Sequence, residues 1–192
     1  MSLDRKSIKL AARQQITGNV FLFFGLSIVI SIILSISCSV AVGPLVLGGP
    51  FVLGEALFIR QVVRDGKGEF GTGFKGFNQF TSSLVAYILK CIFITLWSLL
   101  FIIPGVIAAI RYSMTFFILA DNPTMDGYAA ICKSKEMMKG HKWEFFVLCL
   151  SFFWWYLLCA ITFGLAAIYV APYMKATFFN FYENLKEASA NA

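Results

Sequence analysis

Long uncharged apolar runs alternate along this chain with short polar stretches that carry nearly all its charge. No charged residue lies between Arg13 and Glu55, between Lys90 and Arg111, or between Glu144 and Lys175. A helix needs about 20 apolar residues to cross the hydrocarbon core of a bilayer. The first and last runs are too long for one crossing, and each suits much of two. The pattern predicts spans at residues 19–42, 50–63, 82–102, 105–120, 144–162 and 165–183. Gly- and Pro-bearing turns join them in pairs: "VGPLVLGGP", Pro104-Gly105, and "TFG" at 162–164. The second span is short and carries Glu55, so the pattern leaves open whether residues 44–63 cross or re-enter.

The polar stretches complete the layout. Residues 1–18 read as a basic interfacial segment, an amphipathic helix that sets Lys6, Lys9 and Arg13 among headgroups. The apolar run after it exceeds the core of a signal peptide, so it is expected as a retained span. Polar loops follow at 60–81 and 121–143, and a short tail at 184–192. In the second loop Asp126 is placed to cap a helix near 127–139, with Gly140 beyond its end.

Charge turns this pattern into a topology. Lys and Arg gather at 1–13, 60–75, 121–144 and in the tail, while the turns at 43–50, 103–105 and 162–164 hold none. Lys90, Arg111 and Lys175 lie within spans. Short loops rich in Lys and Arg stay on the cytoplasmic side. The expectation is an all-α polytopic membrane bundle of six hydrophobic elements in three hairpins, with both termini cytoplasmic. A single crossing at 99–120 would strand a basic loop outside, so the chain is expected to turn round at Pro104-Gly105.

Composition agrees. Hydrophobic residues make up 59% and charged residues 14%, against about 45–50% and 25% in soluble domains. The net charge of +6 would raise the question of nucleic acid in a soluble protein. Here the basic loops account for it, and no nucleic-acid partner is expected. Cys38, Cys91, Cys132, Cys149 and Cys159 form no C-x-x-C pair; they read as small hydrophobes, with no disulfide framework, metal site or cofactor implied. One histidine, His141, and the absence of hydrolase or phosphate-loop motifs argue against an enzyme.

Candidate chemistry therefore rests on charges inside spans. Arg111 lies six residues past Gly105 and Glu55 six past Gly49, which sets both roughly 9 Å from the outer turns. A buried cation is costly and needs a partner. Equal depth predicts a Glu55–Arg111 pair, either a clamp between hairpins or a polar site for an anionic or zwitterionic ligand. Lys90 and Lys175 either snorkel or converge with Arg111 in a cationic cavity. Ser27, Ser31, Ser35 and Ser39 repeat every four residues and predict a small-residue helix-packing stripe. Phe74, Phe77, Phe80 and Trp143 read as interfacial anchors. Lys133, Lys135, Lys139 and Lys142 mark a surface for anionic lipid headgroups or for a membrane or cytoplasmic protein partner.

"GGPFVLGEALF", "LWSLLFIIPGVIAAIRYSMTFFILADNP" and "SKEMMKGHKWEFFVLCLSFFWW" together resemble the bacterial integral membrane family called domain-of-unknown-function family 975. More distantly they resemble the membrane domain attached to some glycerophosphodiesterases. The resemblance implies a bacterial, mainly Gram-positive, cytoplasmic-membrane protein. It brings no assigned activity and no catalytic residues. The expected function is a non-catalytic scaffold or accessory in an envelope process such as export, peptide resistance or lipid homeostasis. The alternative is a small transporter or lipid-handling protein that uses the intramembrane charges.

Overall fold

The computed structural model describes residues 5–16, 18–37, 43–100, 102–162 and 164–190, which contain no strand. The helices are α1 (Arg5–Ile16), α2 (Val20–Ser37), α3 (Gly43–Asp65), α4 (Phe80–Leu100), α5 (Ile102–Arg111), α6 (Thr115–Asp121), α7 (Gly127–Met137), α8 (Lys142–Leu150), α9 (Phe153–Ile161) and α10 (Ala167–Ala190), with a 3₁₀ segment at Phe70–Gln79. Four stretches are long and apolar enough to cross a membrane: Leu45–Asp65, Phe70–Leu99, Ile103–Asp121 and Lys142–Ile161. The α1–α2 pair makes a fifth if its bent helices count as one span. The sixth expected element, α10, falls short of that measure because Lys175, Asn180 and Glu183 interrupt its apolar residues. It serves instead as a core helix, with Phe179, Phe181 and Tyr182 fully buried. The expected tail continues this helix to Ala190.

Helices α3, α6 and α10 run parallel and meet at one end. Glu55 of α3 pairs with Lys175 of α10, and nine residues on Arg64 pairs with Glu183 at 2.5 Å. There α6 stops at Asp121, whose side chain is buried. Its Oδ2 accepts from Arg64 at 3.0 Å, Lys186 at 2.7 Å and the Tyr182 hydroxyl at 3.1 Å. Arg60 Nε lies 2.9 Å from Oδ1, an ion pair whose N–H is not aligned for a hydrogen bond. Arg60 also donates to the Ala120 carbonyl at 2.8 Å, where a cation favours the helix C-terminus.

Helices α4 and α5 pack back to back. Gly105 lies against Ser98, Phe93 stacks near Tyr112 at 5.8 Å, and Tyr87 meets Phe116 at 6.4 Å. The chain turns round, as expected, but earlier than expected. Helix α4 ends at Leu100 and α5 begins at Ile102, so Pro104 and Gly105 lie in the first turn of α5. Proline is tolerated there because its missing N–H would have had no helical partner. Two expected spans are broken. Between α5 and α6, Ser113 and Thr115 donate to the carbonyls of Ile110 and Tyr112. Between α8 and α9, Ser151 donates to Leu148 and accepts from Lys9 of α1 at 2.6 Å.

The expected loop at 60–81 is an ordered element. Helix α3 continues through "GPLVLGGP" from Gly43, with Pro50 inside it, and runs on to Asp65. The 3₁₀ segment then folds back along α3. A Cβ on Gly54 would stand 1.7 Å from the Gly73 carbonyl oxygen, and one on Gly76 would stand 2.1 Å from that of Pro50. Backbones can approach this closely only where side chains are absent. Phe74 and Phe77 pack on Phe51 of α3, at 6.3 and 5.1 Å, instead of anchoring at an interface. Trp143 is exposed and stacked on Phe146.

Helix α1 differs from expectation as well. Ile8, Ala12 and Ile16 are buried, and Asn180 of α10 donates to the Ile8 carbonyl and to Gln15. Protein, instead of lipid, covers its apolar stripe. In α7 the sequence expectation holds: Asp126 caps the helix by accepting from the Tyr128 N–H at 3.1 Å, and Gly140 takes a φ of +86° beyond its end.

Large apolar side chains remain outside the core on α4, α5, α8 and α9. Leu99, Ile103, Trp154 and Ile161 are all strongly exposed, as suits lipid-facing surfaces. Replacing Gly54 with Ala is expected to force α3 from the 3₁₀ segment and to cost roughly 1–3 kcal/mol by overpacking. Gly71, with open space around it, serves as the control: Gly71→Ala is expected to leave thermal unfolding in detergent nearly unchanged. Equal unfolding temperatures for both variants would refute the close packing.

Candidate functional site

The cavity between these helices holds about 670 Å³ and brings Glu55, Lys90 and Lys175 together. Sites for small molecules span about 300–1,000 Å³. Its walls come from α3, α4, α5, α6, α8, α9 and α10, and they are mainly aliphatic, aromatic and Met side chains, such as Ile59, Phe117, Met174 and Phe178. The three charges reach it for separate reasons. The parallel course of α3 and α10 brings Glu55 opposite Lys175. The α4–α5 return brings Lys90 beside Phe116.

The charge arrangement differs from the expected one. Glu55 accepts from Lys175, not from Arg111. Depth along two helices is not enough to make a pair, because the helices must also rotate the two side chains toward one another. Lys175 does face the bundle, and its ammonium also lies 5.3 Å from the Phe23 ring centroid. Arg111 does not line the cavity. It ends α5 at the break, its carbonyl accepts from Ser134 of α7 at 2.9 Å, and its Nε is buried without a hydrogen-bond partner among the described residues.

Lys90 is the charge left over. Its ammonium stands 5.4 Å from the centroid of the Phe116 ring, a favourable contact worth about 0.5–2 kcal/mol. No carboxylate pairs with it among the described residues. With Glu55 matched to Lys175, the cavity carries one uncompensated positive charge.

The remaining candidates lie elsewhere. Ser31 and Ser35 are exposed and donate to the carbonyls of Ser27 and Ser31, both at 2.7 Å. The face of α2 turned to the core is Phe23, Leu26 and Ile30. Ser31 and Ser35 therefore point away from the core, with their hydroxyls satisfied within their own helix. Ser39 and Cys38 lie outside the described residues. Lys133, Lys135 and Lys139 are exposed on and just beyond α7, and Lys142 is half-buried at the start of α8. Asp121, the first residue of the expected loop at 121–143, is the charge centre of the fold. Its signal was the spacing of Arg60 and Arg64, which share a helix face at i and i+4.

Swapping Glu55→Gln and Lys175→Gln is expected to give a coupling of roughly 1 kcal/mol in a double-mutant cycle read by thermal unfolding, since partial exposure screens the pair. The same cycle with Glu55→Gln and Arg111→Gln is expected to be additive. Additivity in the first cycle would remove the assigned pair.

Comparison with known proteins finds a family and no individual match. No curated protein and no solved structure matches the chain. Residues 99–189 match a family model. That segment runs from the end of α4 through almost all of α10 and supplies most of the cavity wall. That segment, just under half of the chain, matches the family described as Protein of unknown function (DUF975), the family that the sequence resembles.

Proposed function

We propose that this is a non-catalytic protein of the bacterial cytoplasmic membrane that takes an amphiphilic molecule into its cavity, as a small lipid-handling or transport protein. The observation that carries the reading is a largely apolar cavity of about 670 Å³ lined by the ammonium of Lys90, which no carboxylate pairs among the described residues. A bundle built only to scaffold would gain stability by filling such a space and by removing such a charge. The mainly apolar wall fits a hydrocarbon chain, and the Lys90 ammonium fits a headgroup.

In this proposal both termini face the cytoplasm. The parallel helices α3, α6 and α10 end in the Asp121 charge cluster, and the basic residues of the 60–75 and 121–144 stretches follow those ends. The positive-inside tendency then sets that end inside.

A scaffold or accessory role in an envelope process is the second reading. The exposed Lys133, Lys135 and Lys139 favour it, as a surface for anionic headgroups or a cytoplasmic protein.

Two measurements test these proposals. Protein purified in a neutral detergent is expected to retain one class of membrane amphiphile above its share of the bulk lipid extract, read by mass spectrometry. Ala171→Phe, which fills the cavity, is expected to lose it. Equal retention by both proteins would exclude the cavity as the site. For orientation, single cysteines at Lys67 and Lys135, in a chain freed of its native cysteines, are expected to resist a membrane-impermeant maleimide in intact cells. Labelling of either from outside would reverse the topology.

A further inference from the structure

We infer that the cavity selects amphiphiles that carry one net negative charge and a single apolar chain, with the anionic group held by Lys90. The inference rests on the amphiphile-binding reading above and adds the ligand's charge, its source and the residue that reads it.

The charge follows from what is already matched. Glu55 and Lys175 neutralise each other at one side of the cavity. Lys90 has an aromatic face and no carboxylate among the described residues. An ammonium among apolar groups is costly unless an anion meets it. A ligand carrying one negative charge brings the cavity to neutrality. An uncharged ligand would leave the cation as it stands, and a dianion would replace one surplus charge with the opposite one. The fixed partners also favour Lys90 over Lys175, because an anion seated on Lys175 would have to displace Glu55.

The chain follows from the wall. Val52, Ile59, Phe117, Met174 and Phe178 offer no hydrogen-bonding side-chain group, and Met adapts to irregular chains. The volume falls in the range for one drug-sized molecule. Two anions of the same charge satisfy this chemistry: a free fatty carboxylate and the phosphodiester of a single-chain phospholipid.

The test uses the full-length protein in neutral-detergent micelles and follows displacement of the fluorescent probe 11-dansylaminoundecanoic acid. Palmitate and palmitoyl lysophosphatidylglycerol are the anionic competitors. Hexadecanol and palmitoyl lysophosphatidylcholine are the competitors without net charge, and inorganic phosphate is the headgroup alone. At least one anionic amphiphile is expected to displace the probe where the uncharged amphiphiles and inorganic phosphate do not. Displacement by palmitate only assigns the carboxylate source; displacement by the lysophospholipid only assigns the phosphodiester. Lys90→Gln is expected to weaken probe binding by about tenfold or more, the loss of one charge-assisted contact, and Lys90→Arg to retain it.

Uncharged amphiphiles that compete as well as anionic ones would overturn the charge selectivity while leaving the cavity reading intact. That comparison needs only the unaltered protein, so it stands even if the Lys90 variants fold poorly. Undiminished probe binding by Ala171→Phe would overturn both. Equal binding by folded Lys90→Gln would remove Lys90 as the reader of charge.

Discussion

A carboxylate taken out of water costs several kcal/mol unless its neighbours replace what the water supplied. At Asp121 they do. Arg64, Lys186 and the Tyr182 hydroxyl approach one carboxylate oxygen, and Arg60 lies beside the other. These groups come from α3 and α10, while Asp121 ends α6, so satisfying one buried side chain obliges three helices to end together. The arrangement has consequences further along. Glu55 lies nine residues before Arg64 and Lys175 eight before Glu183, roughly 12–13 Å up each helix. Once the ends are aligned, the two side chains arrive at nearly the same height. The pair in the cavity is thus set by a charge cluster more than two helical turns away.

That alignment also decides which cation stays unmatched. There is one carboxylate in the cavity for two ammonium groups. The helix that runs parallel to α3 takes it, and Lys90, on a helix that arrives by the α4–α5 return, has an aromatic ring and no carboxylate among the described residues. A fold that evolved for stability alone gains nothing from this surplus. The charge is informative because its neighbours are already paired.

Close backbone approach supplies the remaining constraint. The 3₁₀ segment lies along α3 where Gly54, Gly73 and Gly76 let main chains meet, and α4 crosses α3 where Gly49 faces the Ser83 carbonyl. Between elements in an apolar medium, where water no longer drives hydrophobic contact, close packing of this kind carries much of the association energy. The breaks at 112–114 and 151–152 follow a related economy. Hydroxyls of Ser113, Thr115 and Ser151 donate to carbonyls at the interruptions, so these polar side chains are satisfied within the chain.

The sequence by itself determined the properties that depend on short-range periodicity and on charge counted along the chain. These are the helical class, the apolar segments, the reversal near residue 104, the Asp126 cap and the Gly140 turn. Each follows from the chemistry of a few consecutive residues or from solvation of a whole segment. Only the tertiary structure decided who pairs with whom. Sequence spacing placed Glu55 and Arg111 at one depth but contained no information on how each helix is rotated, and rotation gave Glu55 to Lys175. The serine stripe was legible as a stripe, yet its direction depended on whether Phe23, Leu26 and Ile30 buried more apolar surface on the opposite face. The glycines of residues 66–76 read as a loop because glycine favours turns locally; the use of Gly73 and Gly76 as contact points required α3 to be present. Asp121 read only as the start of a loop because its four partners lie 57 to 65 residues away along the chain, and the field at a buried carboxylate is the sum over neighbours that only folding assembles.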